Sequence, residues 1–213
     1  MADYLGTQPV LEAVSEAASH IGGQVLDIGC GHRPYESWLP SSVTRYVGLD
    51  YEVEDASPHL VGDALHLPFP DASFDTVFTM QTLEHLPDPF QAFHEIARVL
   101  QPGGKLILTV PQSWREHEQP HDYFRFTSFG LRRLCDHAGL KPLTVRAAGL
   151  AWSHLGQSFL TTCLRANIVR ILGRFHIFAP MILMVNLTCR LMDFVWRDED
   201  EAIHHLLIAE KMK

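Results

Sequence analysis

Three stretches of the chain hold residue types that could do chemistry. In the first, Val25 to Pro34 (VLDIGCGHRP), an apolar run ends in a carboxylate, Asp27, and two glycines, Gly29 and Gly31. Glycine lacks a Cβ, so the backbone there can turn sharply and come close to a ligand. Asp27 would point at a cationic group above the turn. Asp50 closes a second apolar run 19 residues beyond Gly31, the position at which an acid accepts hydrogen bonds from ribose hydroxyls. A pyrophosphate turn would read GxGxxG with a small third residue, but here that place is Pro34. Asp27 is also a poor neighbour for an anion. A nucleoside with a positive amino-acid end suits the turn better, and S-adenosylmethionine combines an ammonium, a sulfonium, a ribose and an adenine.

The other two stretches offer proton acceptors. QTLEHLPDP, from Gln81, carries Glu84 and His85, and Pro111 to Thr127 (PQSWREHEQPHDYFRFT) carries His117, His121, Asp122, Tyr123 and Arg125. Histidine changes charge nearest neutral pH and is the natural base for deprotonating an acceptor. His85, His121 and Tyr123 are therefore the candidate catalytic groups. Trp114, His117, Asp122 and Arg125 are candidates for holding substrate. A metal on His117, His121 and Asp122 is chemically conceivable, but helical i, i+4 geometry does not serve all three, and no metal centre is expected.

These residues need a scaffold, and the chain alternates strand-like and helix-like segments. QVLDIG, RYVGLD, HLVGDA, FDTVFTM, KLILTVP and KPLTVRAA read as strands. DPFQAFHEIARVL has helical apolar spacing, with Asp88 and Pro89 placed to start it. SFGLRRLCDHAGL is a second helix, stopped by Gly139. An amphipathic helix is expected from about Pro9 to Ala18. Strands of nearly continuous apolar character between helices indicate a parallel sheet covered on both faces. Ligands bind such sheets beyond the carboxyl ends of the strands, which is where all three stretches fall.

Composition sets outer limits. With 46% hydrophobic and 20% charged residues the chain is an ordinary globular sequence, and a net charge of −8 argues against a general nucleic-acid binder. Its four cysteines form no CxxC pair, so a reducing, cytoplasmic setting is the simpler reading. The first twenty residues do not read as a secretory signal.

Four motifs, VLDIGCG, YVGLD, GDALHLPFPDASFDTVFTMQTLEHLPDP and EIARVLQPGGKLILTVP, occur in an order that closely resembles the class I S-adenosylmethionine-dependent methyltransferases. The resemblance is to the methyltransferase-11 group, which includes ubiquinone and menaquinone methylases, and covers about residues 20 to 148. It implies a Rossmann-like α/β fold whose seven-stranded, mostly parallel sheet ends in an antiparallel strand, here AIHHLLIAEKM. It also implies S-adenosylmethionine as cofactor, with S-adenosylhomocysteine as product. Gly29, Cys30 and Gly31 would then lie under the methionine portion, and Asp27 near its amino group. Asp50 would hold the ribose, Tyr51 would lie beside the adenine, and Asp63 and Ala64 would meet the adenine edge. Gln81 would sit near the methionine carboxylate or the methyl group. The departure is HRPY after the glycines, where Pro34 implies a late or shortened helix.

Expected boundaries are a core over 1–149, a helical insertion over 150–200 and the final strand over 201–213. From His137 through Met192 there is no Asp or Glu, while six Lys and Arg residues occur. IFAPMILMVNLTC is too short to span a bilayer, which takes about 20 residues. Two readings stay open for this region: a helical cap or homodimer face, and peripheral contact through 150–197 with the inner face of an anionic membrane. The expected activity is methyl transfer to a small-molecule or lipid-linked acceptor by in-line displacement. A non-catalytic S-adenosylmethionine-binding protein is the alternative, and a nicotinamide-dependent oxidoreductase is disfavoured by Asp27 and Pro34.

Overall fold

The computed structural model describes residues 4–51, 57–165 and 179–213. Arg170 and Arg174, two of the insertion's expected cations, lie outside them. The strands are β1 (Gly23–Ile28), β2 (Val43–Asp50), β3 (Leu60–Val61), β4 (Phe74–Met80), β5 (Leu100–Pro111), β6 (Leu140–Ala148) and β7 (His204–Lys211). They form one sheet in the order β3-β2-β1-β4-β5-β7-β6, in which β7 alone pairs antiparallel with its neighbours. This is the Rossmann-like architecture expected from the sequence. The other six strands end at one edge, and β7 begins there.

Period-two alternation divides the strand residues between two cores. Leu26, Val77, Leu106, Leu108 and Leu207 face α2 (Pro89–Val99) and α3 (Ser128–Ala138), where they meet Phe93, Ile96, Leu131 and Leu134. Val25, Phe78, Ile107, Leu206 and Ile208 face α1 (Tyr4–Ala17), against Ala13, Val14 and Ala17. Asp88 caps α2 as its position implies, accepting from the amides of Phe90 and Gln91. Gly139 ends α3 at φ 69°.

Three boundaries differ from the sequence reading. No α-helix follows the glycine turn; a 3-10 turn, Glu36–Trp38, stands in its place, consistent with Pro34. The third strand shrinks to two residues, because HLVGDA bends at Gly62 toward the core. The first helix begins at Tyr4 and carries Pro9 in its second turn. Tertiary packing overrides the proline there: Leu5 is buried, and a Cβ on Gly6 would collide with the Trp114 ring.

Between β6 and β7 lie α4 (Ala151–Arg165) and α5 (Ala179–Val195), a pair that leaves and rejoins the sheet at the strand-end edge. Asp193 of α5 accepts from the amides of Trp152 and Ser153, 3.0 and 3.1 Å away, and so caps α4 from its neighbour. Two cations of the acid-free stretch are already matched by acids of α1. Arg190 donates to Glu12 and to the Tyr4 hydroxyl, and Arg146 donates to Glu16.

Asp193→Ala removes both cap acceptors. We expect a loss of about 1 kcal/mol in unfolding free energy, read from urea denaturation, with Asp193→Asn recovering part of it.

Candidate active site

At the β1 end of the edge, Gly29 and Gly31 take φ values of 70° and 50°. The two glycines answer different needs. A Cβ on Gly29 would collide with the Thr82 side chain, so this glycine lets the β1 and β4 ends approach each other; a Cβ on Gly31 would meet nothing within 4 Å. Among the described residues, open space therefore lies over Gly31. The Gly31 amide donates to Asp50 Oδ2 and the Tyr51 amide to Asp50 Oδ1, each at 2.8 Å. Asp50 thus shapes the turn with the oxygens expected to face a ribose. Tyr51 is 76% exposed beside it.

Asp27 is buried under this turn and accepts a 2.6 Å hydrogen bond from the Tyr46 hydroxyl. Burial pushes its pKa up to about 7; the Tyr46 bond opposes this, and the charges of Asp50 and Glu36 add to it. Tyr46 was not singled out in the sequence, although register carries the signal. Val25 pairs with Tyr46 and Asp27 with Gly48, so Tyr46 shares the Asp27 face and a glycine leaves the space between them. Cys30 turns away from the opening: its Sγ is buried against Gly48, where an added Cβ would lie 2.9 Å from it. Its side chain packs the turn against β2.

Asp63 accepts from the Leu65 amide at 2.8 Å, and Ala64 is buried in the core. Gln81, at the end of β4, has φ 53° and donates from Nε2 to Thr109 Oγ1. A positive φ at a non-glycine residue is a strained conformation, of the kind that concentrates at ligand sites. The open space over Gly31, the exposed Tyr51 and the excess of acid around Asp27 fit S-adenosylmethionine, whose amino-acid end and sulfonium are cationic.

The acceptor side is built by residues 112–127, folded over the 3-10 turn Leu83–His85. The amides of Tyr123 and Phe124 donate to the Glu84 carbonyl, and His85 Nδ1 lies 2.8 Å from the His121 carbonyl. A carbonyl only accepts, so Nδ1 carries the proton and Nε2 keeps its lone pair. His121 Nδ1 lies 2.9 Å from the Tyr123 hydroxyl, and both residues are exposed.

Asp122 and Arg125 were expected to touch substrate, and their geometry assigns them elsewhere. Arg125 donates to both Asp122 oxygens at 2.6 and 2.7 Å, and also to the carbonyls of Trp114, Arg115 and Phe124. Those five bonds use every guanidinium donor. The Arg125 side chain holds Asp122 well below the usual carboxylate range. Trp114 packs against α1 through Gly6, and its ring lies 5.6 Å from that of His204. These three residues hold the loop in place; His117, His121 and Tyr123 are the side chains it presents. A cavity of about 220 Å³ beneath α1, lined by Glu12, Arg146, Arg190 and Asp193, includes none of the glycine-turn residues.

A family model described as "Methyltransferase domain" matches residues 26–108, the span from β1 to β5. Methyltransferase GfsG of Streptomyces halstedii is 29% identical over 68% of this chain and 57% of its own length. The "probable tocopherol O-methyltransferase, chloroplastic" of Oryza sativa subsp. japonica is 33% identical over 58% of this chain and 39% of its own length. The chain thus spans about half the length of these curated relatives. Phosphoethanolamine N-methyltransferase 2 of Haemonchus contortus, solved in complex with S-adenosyl-L-methionine, superposes with a TM-score of 0.60 at 19% identity. That match covers 98% of this chain and 53% of that one, and it establishes likeness of fold.

Asp27 generates a pH prediction. Its pKa rises on folding from 3.8 to about 7, so between those values the folded protein keeps a proton that the unfolded chain releases. Its contribution to stability is therefore complete below about pH 4 and falls until about pH 7. Asp27→Asn should remove that slope. Thermal melts from pH 4 to 8 should show the variant gaining on the parent as pH rises, together with weaker S-adenosylmethionine binding.

Proposed function

We propose that the chain carries a class I S-adenosylmethionine-dependent methyltransferase domain and methylates a lipophilic small molecule delivered to the strand-end edge from an apolar surface. One observation carries the choice of acceptor class. Leu183, Met184, Leu187, Leu191 and Phe194 of α5, with Leu155 and Phe159 of α4, are at least half exposed, Phe194 to 82%. They stand on the two helices that leave and rejoin the sheet at the edge carrying the glycine turn. A contiguous apolar face of this kind marks an interaction surface, and at helical spacing it fits the boundary of a lipid layer. No helix among the described residues is long and apolar enough to cross a membrane, so the contact is peripheral. The tocopherol-directed name of one relative agrees with an acceptor of this class.

In this reading Gly29, Gly31 and Gln81 frame the methionine portion of the cofactor, with Asp27 near its ammonium. Asp50, Tyr51, Asp63 and Ala64 frame the nucleoside. When bound, S-adenosylmethionine supplies an already activated methyl group. The chain must then align the acceptor and exclude water. With Nδ1–H of His121 donating to the Tyr123 hydroxyl, His121 Nε2 is free to take the acceptor's proton. His85 positions this pair by holding the His121 carbonyl.

Calorimetric titration with S-adenosylmethionine and S-adenosylhomocysteine should give one site, and Asp50→Ala should weaken it by tenfold or more, about 1.4 kcal/mol. Formation of S-adenosylhomocysteine should then require a hydroxylated lipophilic acceptor and fall in His121→Ala. Binding without turnover on any acceptor would favour a non-catalytic binding protein. Absence of binding by the folded protein would sink the reading.

The surface has its own test. Arg146 and Arg190 are engaged with α1, so among the described residues the attachment rests mainly on apolar contact. The protein should co-sediment with zwitterionic as well as anionic vesicles, and Leu187→Glu with Leu191→Glu should abolish this without lowering the melting temperature. A dimer that dissociates in the same double variant, with no vesicle binding in the parent, would make this face a subunit interface.

A further inference from the structure

Glu84, His85 and His117 each offer a ligand atom, and these atoms lie within 4.8 Å of one another. Glu84 is fully buried, and neither of its carboxylate oxygens has a hydrogen-bond partner from another residue. Two unpaired carboxylate oxygens away from water carry a large penalty unless a proton or a cation meets them. The histidines are arranged to supply lone pairs. His85 commits its Nδ1 proton to the His121 carbonyl, which leaves Nε2 3.9 Å from Glu84 Oε1 and 3.4 Å from Glu118 Oε2. The His117 ring packs edge-on to that of His85 at 4.8 Å, and its Nδ1 lies 3.2 Å from Asp122 Oδ2. A histidine whose second nitrogen is held by a carbonyl has the outer partner that metal-ligating imidazoles have, and the buried His117 Nδ1 has no hydrogen-bond partner of its own.

From this geometry we infer that Glu84, His85 and His117 form a site for a divalent first-row transition metal, with the exposed Glu118 at its open side. Two imidazoles and one carboxylate suit zinc, iron or cobalt and are a poor set for magnesium or calcium, which prefer oxygen ligands alone. The site joins two excursions of the chain, since Glu84 and His85 follow β4 and His117 belongs to the loop after β5. An ion there would neutralise the buried carboxylate and pin residues 112–127 onto the 3-10 turn. The inference goes beyond the methyl-transfer reading and stands or falls independently of it, because it requires neither cofactor nor acceptor.

The probe is Co²⁺ added to chelator-treated full-length protein, followed by visible absorption. One equivalent should produce ligand-field bands that Zn²⁺ abolishes and Mg²⁺ does not, and Zn²⁺ should raise the melting temperature. Glu84→Gln, which keeps shape and burial, and His117→Ala should each weaken binding by more than the roughly tenfold that loss of an outer partner costs. His66→Ala, at an exposed side chain outside the cluster, should leave binding unchanged and serves as a control in a chain with 13 histidines. Circular dichroism of each variant separates lost ligands from lost fold. Co²⁺ binding of equal affinity in folded Glu84→Gln and His117→Ala would overturn the site, as would no spectral change in the parent. S-adenosylmethionine calorimetry on the metal-free protein distinguishes this failure from failure of the methyltransferase reading.

Discussion

A single guanidinium holds the acceptor side of this protein together. Arg125 places all five of its N–H donors on residues 114 to 124 of its own loop, two of them on the Asp122 carboxylate. Asp122 in turn accepts from the His117 amide at 2.9 Å. A loop this long and polar would otherwise retain most of its conformational entropy. The Arg125 network converts it into a fixed ledge over the Leu83–His85 turn. His117, His121 and Tyr123 can then present side chains at the strand-end edge, because the backbone behind them is already satisfied.

Buried carboxyl groups recur along that edge. Asp27 lies under the glycine turn with Asp50 and Glu36 raising its pKa, and Glu84 is sealed beneath the loop with both oxygens unpartnered. Neither arrangement is what stability alone would favour, since a buried carboxyl without a counter-charge destabilises the folded state. The two ligands proposed above would relieve both: an organic cation at the glycine turn and an inorganic one beside the loop of residues 112–127. Binding then supplies stabilisation that the free chain lacks.

Much of this was legible in the sequence, for local reasons. The second helix announces itself through Asp88, Pro89 and the Phe93–Ile96 stripe, and the third stops where Gly139 takes a positive φ. The apolar strands and the seventh, antiparallel one also fell where their patterns put them. What could not be read depended on contacts distant in the chain. Nothing local says that Glu84 is sealed, since the cover comes from residues 112–127. The DYFR segment is a separate case: its residue types look like substrate chemistry, while closure of Arg125 on Asp122 three residues away is a local contact that residue type alone does not announce. Tyr46 was recoverable only with the β1–β2 register in hand.

The acid-free stretch from 137 to 192 makes the same point about charge. Counted along the chain it is a basic segment suited to an anionic surface. Folded, Arg190 lies against Glu12 and Tyr4, and Arg146 against Glu16, while Asp193, just past the stretch, caps α4. Cations and acids that the sequence keeps apart are brought together by the packing of α1 on the helix pair. What the pair presents outward is a row of leucines, methionine and phenylalanine. Arg190 fastens the insertion to the core, and the apolar face is left to meet whatever lies outside.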